Sequence, residues 1–122
     1  MVSKFLGTQY LLELYDCERE KIATLDYVKE TLLEAATVAQ STIVDATFHQ
    51  FSPYGVSGVV VIKESHIAIH TWPEHCFASI DFYTCNNALK IDDACTYLFS
   101  AFSAQSSDLV KIKRGKLNRF EK

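Results

Sequence analysis

A short segment in the middle of the chain concentrates the side chains that could do chemistry. Residues 63–74 contain one serine, two histidines, a tryptophan and two acids among apolar residues. The runs on either side of 63–66 are rich in β-branched residues, so we predict that 63–66 is the tight connection of a β-hairpin. Ser65 then lies at a bend. A strained backbone there lets the serine hydroxyl approach the preceding carbonyl group, that of Glu64, at a cost of about 1–3 kcal/mol.

The strand that follows Ser65 should present two different faces, because alternate side chains of a strand point to opposite sides. Ile67, Ile69 and Thr71 form an apolar face that suits a core. The opposite face carries a titratable imidazole at His70 and a large aromatic ring at Trp72, as a binding face would. A histidine in a strand is also commonly a structural residue, and the spacing leaves both readings open.

The four cysteines show no C-x-x-C spacing, and we expect free thiols. Cys85 ends an apparent strand and could be a small buried hydrophobe, as unpaired cysteines commonly are. The alternative interpretation is functional, with the Cys85 thiol as a proton donor. A thiol with a pKa of about 8.5 keeps its proton near neutral pH and can still give it to a strong base such as a carbanion.

The residue types of this segment also suit two other kinds of site, a zinc site and a hydrolase active site. A zinc site needs converging ligands, but the spacing of the candidates matches no familiar closed site. A hydrolase would use Ser65 as nucleophile, His70 as base and Asp81 as orienting acid, yet no G-x-S-x-G elbow supports it. The candidate zinc ligands are His66, His70, His75 and Cys76.

The elements that position these residues follow from apolar periodicity. Short turns between strands favour antiparallel neighbours, so the prediction is an α+β fold, a two-layer sandwich with two helices on one face of a mainly antiparallel sheet. We predict strands at 8–15, 42–51, 58–62, 67–72 and 77–84, helices at 25–39 and 91–102, and a last short strand at 109–112.

The other face of the sheet should also be covered. The continuous apolar run Val59–Ile62 leaves neither face of its strand suited to water. Two helices cover one face only, so we predict a homodimer in which the sheets of two copies pair, with any site on that face near the partner. The alternative is a long loop over the same face.

Composition restricts the function classes. At 122 residues and 48% apolar content the chain has room for one domain, over 1–122, with a core that needs no disulfides. The net charge is -3 and no apolar run is long enough to span a membrane, so we expect no nucleic-acid or membrane partner and a cytoplasmic location. Basic residues gather only in a tail predicted to be a solvated end: Lys111, Lys113, Arg114, Lys116 and Arg119.

Five segments form a pattern typical of a known family: Glu64-Ser65-His66, His70-Thr71-Trp72-Pro73-Glu74, Pro53-Tyr54-Gly55-Val56-Ser57-Gly58, Thr47-Phe48-His49 and Asp81-Phe82-Tyr83-Thr84-Cys85. In these motifs and in overall length, the chain resembles the small prokaryotic S-adenosylmethionine decarboxylase proenzymes. The resemblance runs over about 7–85, and beyond residue 86 the sequence contributes little to it.

The resemblance implies self-processing. Ser65 would attack the Glu64 carbonyl to give an ester, and elimination would leave a pyruvoyl group where Ser65 stood. His70 would take part in proton removal and Ser57 would help. The products would be a β chain of residues 1–64 and an α chain of 65–122, with no metal required.

The resemblance also implies the reaction. A pyruvoyl group can replace pyridoxal phosphate as the electron sink for decarboxylating an amino acid. Its keto group would form a Schiff base with the substrate amine, and Cys85 would return a proton to the α carbon. The product, decarboxylated S-adenosylmethionine, donates aminopropyl groups for spermidine synthesis.

Three family positions imply a nucleoside-bearing substrate, since Phe51 and Trp72 would stack on adenine and Glu74 would bind the ribose hydroxyls. Gln9 departs from the family, which commonly has histidine there. Relatives with the same fold decarboxylate arginine or ornithine, so those substrates remain an alternative, and a dimeric ligand-binding module is the non-enzymatic one.

Overall fold

The computed structural model describes residues 4–117, which form one six-stranded sheet with helices packed on one side. The strands lie in the spatial order β2-β3-β4-β5-β1-β6, and every neighbouring pair is antiparallel. The strands are β1 (Phe5–Tyr15), β2 (Ile43–Gln50), β3 (Val56–Ile62), β4 (Ser65–Trp72), β5 (Phe77–Thr84) and β6 (Ser106–Lys116). The helices are α1 (Arg19–Ala23), α2 (Leu25–Val38) and α3 (Ile91–Ala101), and a 3₁₀ turn spans Pro73–His75.

The two longer helices bury their apolar sides against alternate residues of the central strands. On α2 these are Val28, Leu32 and the alanines 35 and 36, whose small side chains allow close approach to the sheet. On the sheet, Ile67, Ile69 and Phe82 lie in the same core and are buried. The predicted α+β sandwich is therefore confirmed, with both main helices on one face.

Three local predictions need correction. The short helix α1 was not predicted, because five residues are too few to show helical periodicity. The last strand runs for 11 residues instead of four, because its pairing with β1, which sequence periodicity does not reveal, continues from Ser106 to Lys116. Four of the five basic tail residues therefore lie in or at the end of an exposed edge strand, and Arg119 lies outside the described residues.

The face of the sheet away from the helices is open in the single chain. It carries exposed apolar side chains on β3, β4 and β6, and no loop within residues 4–117 covers them. These are Val59, Val61, Trp72, Val110 and Ile112, each about 40–50% exposed. The long-loop alternative finds no support in the described part of the chain.

A buried threonine joins β4 to the elements around it. The Thr71 hydroxyl donates to the Ile22 carbonyl of α1 and accepts from the Val56 N–H of β3, both at 2.8 Å. Thr71 lies between His70 and Trp72, so these bonds fix the strand that carries both candidate site residues.

We predict that Thr71→Val lowers the free energy of unfolding by about 1–3 kcal/mol, because it leaves a buried amide and a buried carbonyl unpaired. Urea unfolding followed by circular dichroism measures the change. Thr96→Val, at an exposed position of α3, is the matched control and should change stability by about 0.5 kcal/mol or less. Equal losses in the two variants would contradict the role given to Thr71.

Candidate active site

The bond between Glu64 and Ser65 lies at the tightest turn of the sheet. Ile62 pairs with Ser65 across β3 and β4, so only Lys63 and Glu64 make the connection. Glu64 has a φ of 63°, a left-handed conformation that costs a residue with a side chain about 1–3 kcal/mol. The bend therefore lies at Glu64, and Ser65 is the first residue of β4 rather than part of the bend, because it is already paired.

The end of β5 holds both chemical groups of this linkage. The Ser65 hydroxyl donates to Thr84 Oγ1 at 2.9 Å. The backbone N–H of Cys85 donates to the carbonyl oxygen of Glu64 at 3.4 Å. We call Glu64, Ser65, Thr84 and Cys85 the turn cluster. It brings together a nucleophile, the carbonyl group that precedes it and a donor to the carbonyl oxygen.

Cys85 differs from the buried cysteines of the core. Its thiol is exposed and lines a cleft of about 550 Å³ together with residues of β1 and Lys113 of β6. Burial instead raises the pKa of Cys17 to about 11 and that of Cys95 to about 12, which keeps both as protonated core residues. The prediction of free thiols is confirmed within residues 4–117.

A second group of predicted residues lies at the other end of β4. Ser57 and His70 are register partners on β3 and β4, and Ser57 Oγ lies 2.9 Å from His70 Nδ1. A cleft of about 250 Å³ opens beside them and is lined by Phe51, Trp72 and Glu74. We call these five residues the aromatic cleft.

The rings of the aromatic cleft are positioned by neighbours and open to solvent. Trp72 packs against Phe77 of β5 with ring centroids 5.5 Å apart, and Phe51 meets His49 edge-on at 4.5 Å. Trp72 and Phe51 remain 40% and 48% exposed. An exposed aromatic surface beside a free carboxylate, Glu74, suits a flat ring that carries hydroxyl groups.

The two groups do not meet within one chain. Ser65 and His70 are five residues apart on the same extended strand, a separation of about 17 Å. The hydrolase triad is therefore wrong, since Ser65 contacts Thr84 while His70 contacts Ser57. Among residues 4–117, no three histidine, cysteine or acidic side chains are grouped as metal ligands would be.

Sequence reasoning missed residues at both ends of β4. Thr84 and Tyr54 were each named only within a motif, although Thr84 contacts Ser65 and Tyr54 lines the aromatic cleft. Gln9, the departure from the family pattern, accepts a 2.6 Å hydrogen bond from Arg114 of β6, a contact with no local sequence signal. Arg114 also lies 5.8 Å from the ring centroid of Tyr83.

Comparison with known proteins identifies the family. The family model described as S-adenosylmethionine decarboxylase matches residues 8–115. The chain belongs to this family. The match continues well past residue 86, so the tail contributes more to the resemblance than the motifs indicated.

Individual relatives agree with this assignment. The chain is 45% identical over 113 residues to the S-adenosylmethionine decarboxylase proenzyme of Acidithiobacillus ferrooxidans, which covers 93% of this chain and 85% of the relative. The proenzyme of Thermodesulfovibrio yellowstonii is 46% identical over 110 residues, 90% of this chain and 82% of the relative. A crystal structure of adenosylmethionine decarboxylase from Aquifex aeolicus superposes with a TM-score of 0.86 at 33% identity and covers 98% of both chains. In the described part of this family member, no helix has the length and apolarity to cross a membrane.

Proposed function

We propose that this chain cuts itself between Glu64 and Ser65, acquires a pyruvoyl group at Ser65, and then decarboxylates S-adenosylmethionine in the cytoplasm. The observation that supports this proposal is the turn cluster, in which a serine hydroxyl and the preceding carbonyl oxygen are both held by the end of β5. Family membership supports the substrate, since the named relatives are S-adenosylmethionine decarboxylase proenzymes.

The turn cluster supplies what the first step of self-cleavage needs. Ser65 Oγ forms a bond to the Glu64 carbonyl carbon, and the bond from that carbon to the Ser65 nitrogen breaks, which converts the peptide into an ester. The proton lost by the hydroxyl is balanced by the proton gained by the nitrogen. The Cys85 N–H points at the oxygen on which negative charge develops, and the left-handed Glu64 backbone raises the energy of the intact turn.

The second step is elimination from the ester, in which the α proton of residue 65 is removed, the Glu64 carboxylate leaves, and a dehydroalanine remains. Its imine tautomer is hydrolysed by water to the pyruvoyl carbonyl with release of ammonia. Removal of the α proton needs a base that this chain does not bring to its own Ser65. We assign that role to His70, whose ring is oriented by Ser57 of β3. His70 of the same chain, however, lies about 17 Å from Ser65 along β4. A partner chain can supply the base instead. Its β4 can pack over the β4 of the first chain and run in the opposite direction.

The open face provides the surface for such a partner. Two sheets pack about 10 Å apart, and a two-fold axis running across the strands at the level of Ala68 reverses the direction of β4. The Ser65 end of β4 in one copy then lies over the His70 end of β4 in the other. Val59 and Asp81 flank Ala68 on β3 and β5, so the axis passes two apolar residues and one acid, and the exposed residues of the face become buried. We therefore propose a homodimer with two identical shared sites.

The mature site would combine three contributions from the chain. The pyruvoyl carbonyl is the electron sink that makes loss of carbon dioxide from an amino acid feasible. Phe51 and Trp72 stack on the adenine ring, and Glu74 accepts hydrogen bonds from the ribose hydroxyls. Cys85 belongs to the turn cluster, lines an open cleft, and returns a proton to the substrate's α carbon.

The first prediction for this function is cleavage by Ser65. Denaturing mass spectrometry of the purified protein should show two fragments, 1–64 and 65–122, and Ser65→Ala should remain one intact chain. Ser106→Ala, at the exposed start of β6, is the control and should cleave normally. Cleavage at the same bond in Ser65→Ala would contradict self-processing by this serine.

The second prediction tests the shared site by complementation. Ser65→Ala and His70→Ala chains carrying different tags should each stay uncut when produced alone. When the two are produced together, the His70→Ala chain should be cut, because its intact Ser65 meets the His70 of the other chain. An uncut His70→Ala chain in verified mixed dimers would show that each chain supplies its own base.

The third prediction concerns substrate and proton donor. Wild-type protein should release labelled carbon dioxide from carboxyl-labelled S-adenosylmethionine, with arginine and ornithine assayed in parallel as the alternative substrates.

Cys85→Ala should still cut itself and lose most turnover, because protonation follows cofactor formation, whereas Cys76→Ala should keep its activity. Preferred release from arginine or ornithine would overturn the substrate, and full activity of Cys85→Ala would remove this thiol from the reaction.

A further inference from the structure

Thr84 is the last residue of β5, and within the turn cluster it has so far been given a contact with Ser65 but no function of its own. Its side chain is buried, with 6% of its surface exposed, and its hydroxyl contacts Ser65 directly. Threonines at strand ends are common. The contact with Ser65 is therefore informative only if the other hydrogen bonds of the Thr84 hydroxyl determine its orientation.

The other partners of Thr84 determine that orientation. Its hydroxyl donates to the carbonyl oxygen of Asn86 at 3.2 Å, which uses its single proton. Its oxygen accepts from the Asn86 N–H at 2.9 Å, which uses one of its two lone pairs. The remaining lone pair receives the Ser65 hydroxyl at 2.9 Å. With its own proton on the Asn86 carbonyl, Thr84 accepts from Ser65, and this arrangement directs the serine proton at Thr84.

The consequence for Ser65 is geometric. With its proton directed at Thr84, the serine oxygen has its lone pairs free on the other sides, and the side chain is held in one rotamer. The adjacent Cys85 N–H holds the Glu64 carbonyl oxygen at the same time. Thr84 and Cys85, two consecutive residues, thus hold the Ser65 hydroxyl and the Glu64 carbonyl group. These are the nucleophile and the electrophile of a single bond-forming step.

We infer that Thr84 is a positioning residue for self-cleavage, acting through Ser65 in the conversion of the peptide to the ester. This inference rests on the self-processing proposed above. In this step the Ser65 oxygen bonds to the Glu64 carbon, that carbon releases the Ser65 nitrogen, and one proton passes in net terms from oxygen to nitrogen. Before the step, this proton lies in the hydrogen bond from the Ser65 hydroxyl to Thr84. The conversion needs no further reactant.

The test compares Thr84→Val, which keeps the shape and removes the hydroxyl, with Thr84→Ser, which keeps the hydroxyl. Time courses of cleavage are followed in cell-free translation by denaturing electrophoresis. Thr84→Val should cut at least about ten times more slowly than wild type, on the order expected for a misplaced nucleophile. Thr84→Ser should restore most of the rate. A rate for Thr84→Val equal to wild type would overturn the inference.

Thr31→Val is the matched control for a buried threonine. Thr31 lies on α2, outside the turn cluster and the Cys85 cleft, and is buried to a similar extent. It should cut at the wild-type rate, and equal slowing by Thr31→Val and Thr84→Val would reduce Thr84 to a general packing role. Circular dichroism checks folding, and Thr84→Ala, which adds no buried methyl groups, replaces the valine variant if that one does not fold.

Hydroxylamine identifies the step, because it cuts an accumulated ester but not a peptide bond. Folded Thr84→Val should stay uncut in hydroxylamine, which places its defect before the ester. Cutting by hydroxylamine would place the defect in the elimination and overturn the assigned step. Wild-type protein that never cuts between 64 and 65 would overturn the proposed function itself, whereas wild-type cleavage with an unaffected Thr84→Val would overturn this inference alone.

Discussion

The two-residue connection between β3 and β4 constrains the whole candidate site. Because Ile62 and Ser65 are already paired, the chain must reverse within Lys63 and Glu64, and Glu64 takes a left-handed backbone. Two-residue hairpins normally use glycine or asparagine where φ is positive. A glutamate at that position is a local conflict between sequence and structure, which proteins tolerate mainly where it serves a function. Here the conflict lies at the bond proposed to break.

The straight course of β4 determines the second constraint. One strand carries Ser65 at its first position and His70 and Trp72 toward its end, and an extended strand cannot fold back to join them. The same alternation that buries Ile67 and Ile69 places His70 and Trp72 on the open face. The exposure of His70 and Trp72 and the apolar open face therefore have one cause, whereas the shared site is argued from the distance between Ser65 and His70 along β4.

Local patterns predicted much of this arrangement, and long-range pairing explains what they missed. Alternation identified the core and open faces of β4, and helical spacing identified α2 and α3 to within a residue or so. Family resemblance supplied the roles of Ser57, His70 and Cys85. It could not supply the contact between Ser65 and Thr84, because that contact depends on the register of β4 against β5. The length of β6 depends in the same way on β1.

The same register explains how the fold can survive its own cleavage. Cutting between Glu64 and Ser65 removes a turn and changes residue 65, but it leaves the pairing of residues 66–72 of β4 with β3 and β5. Release of the turn also frees Glu64 from its left-handed backbone, so the cut relieves strain instead of adding it. The new chain start remains paired opposite Thr84, next to Cys85, because β5 holds it there. A turn between two well-paired strands is thus a position where a chain can be opened while the groups around the break stay in place.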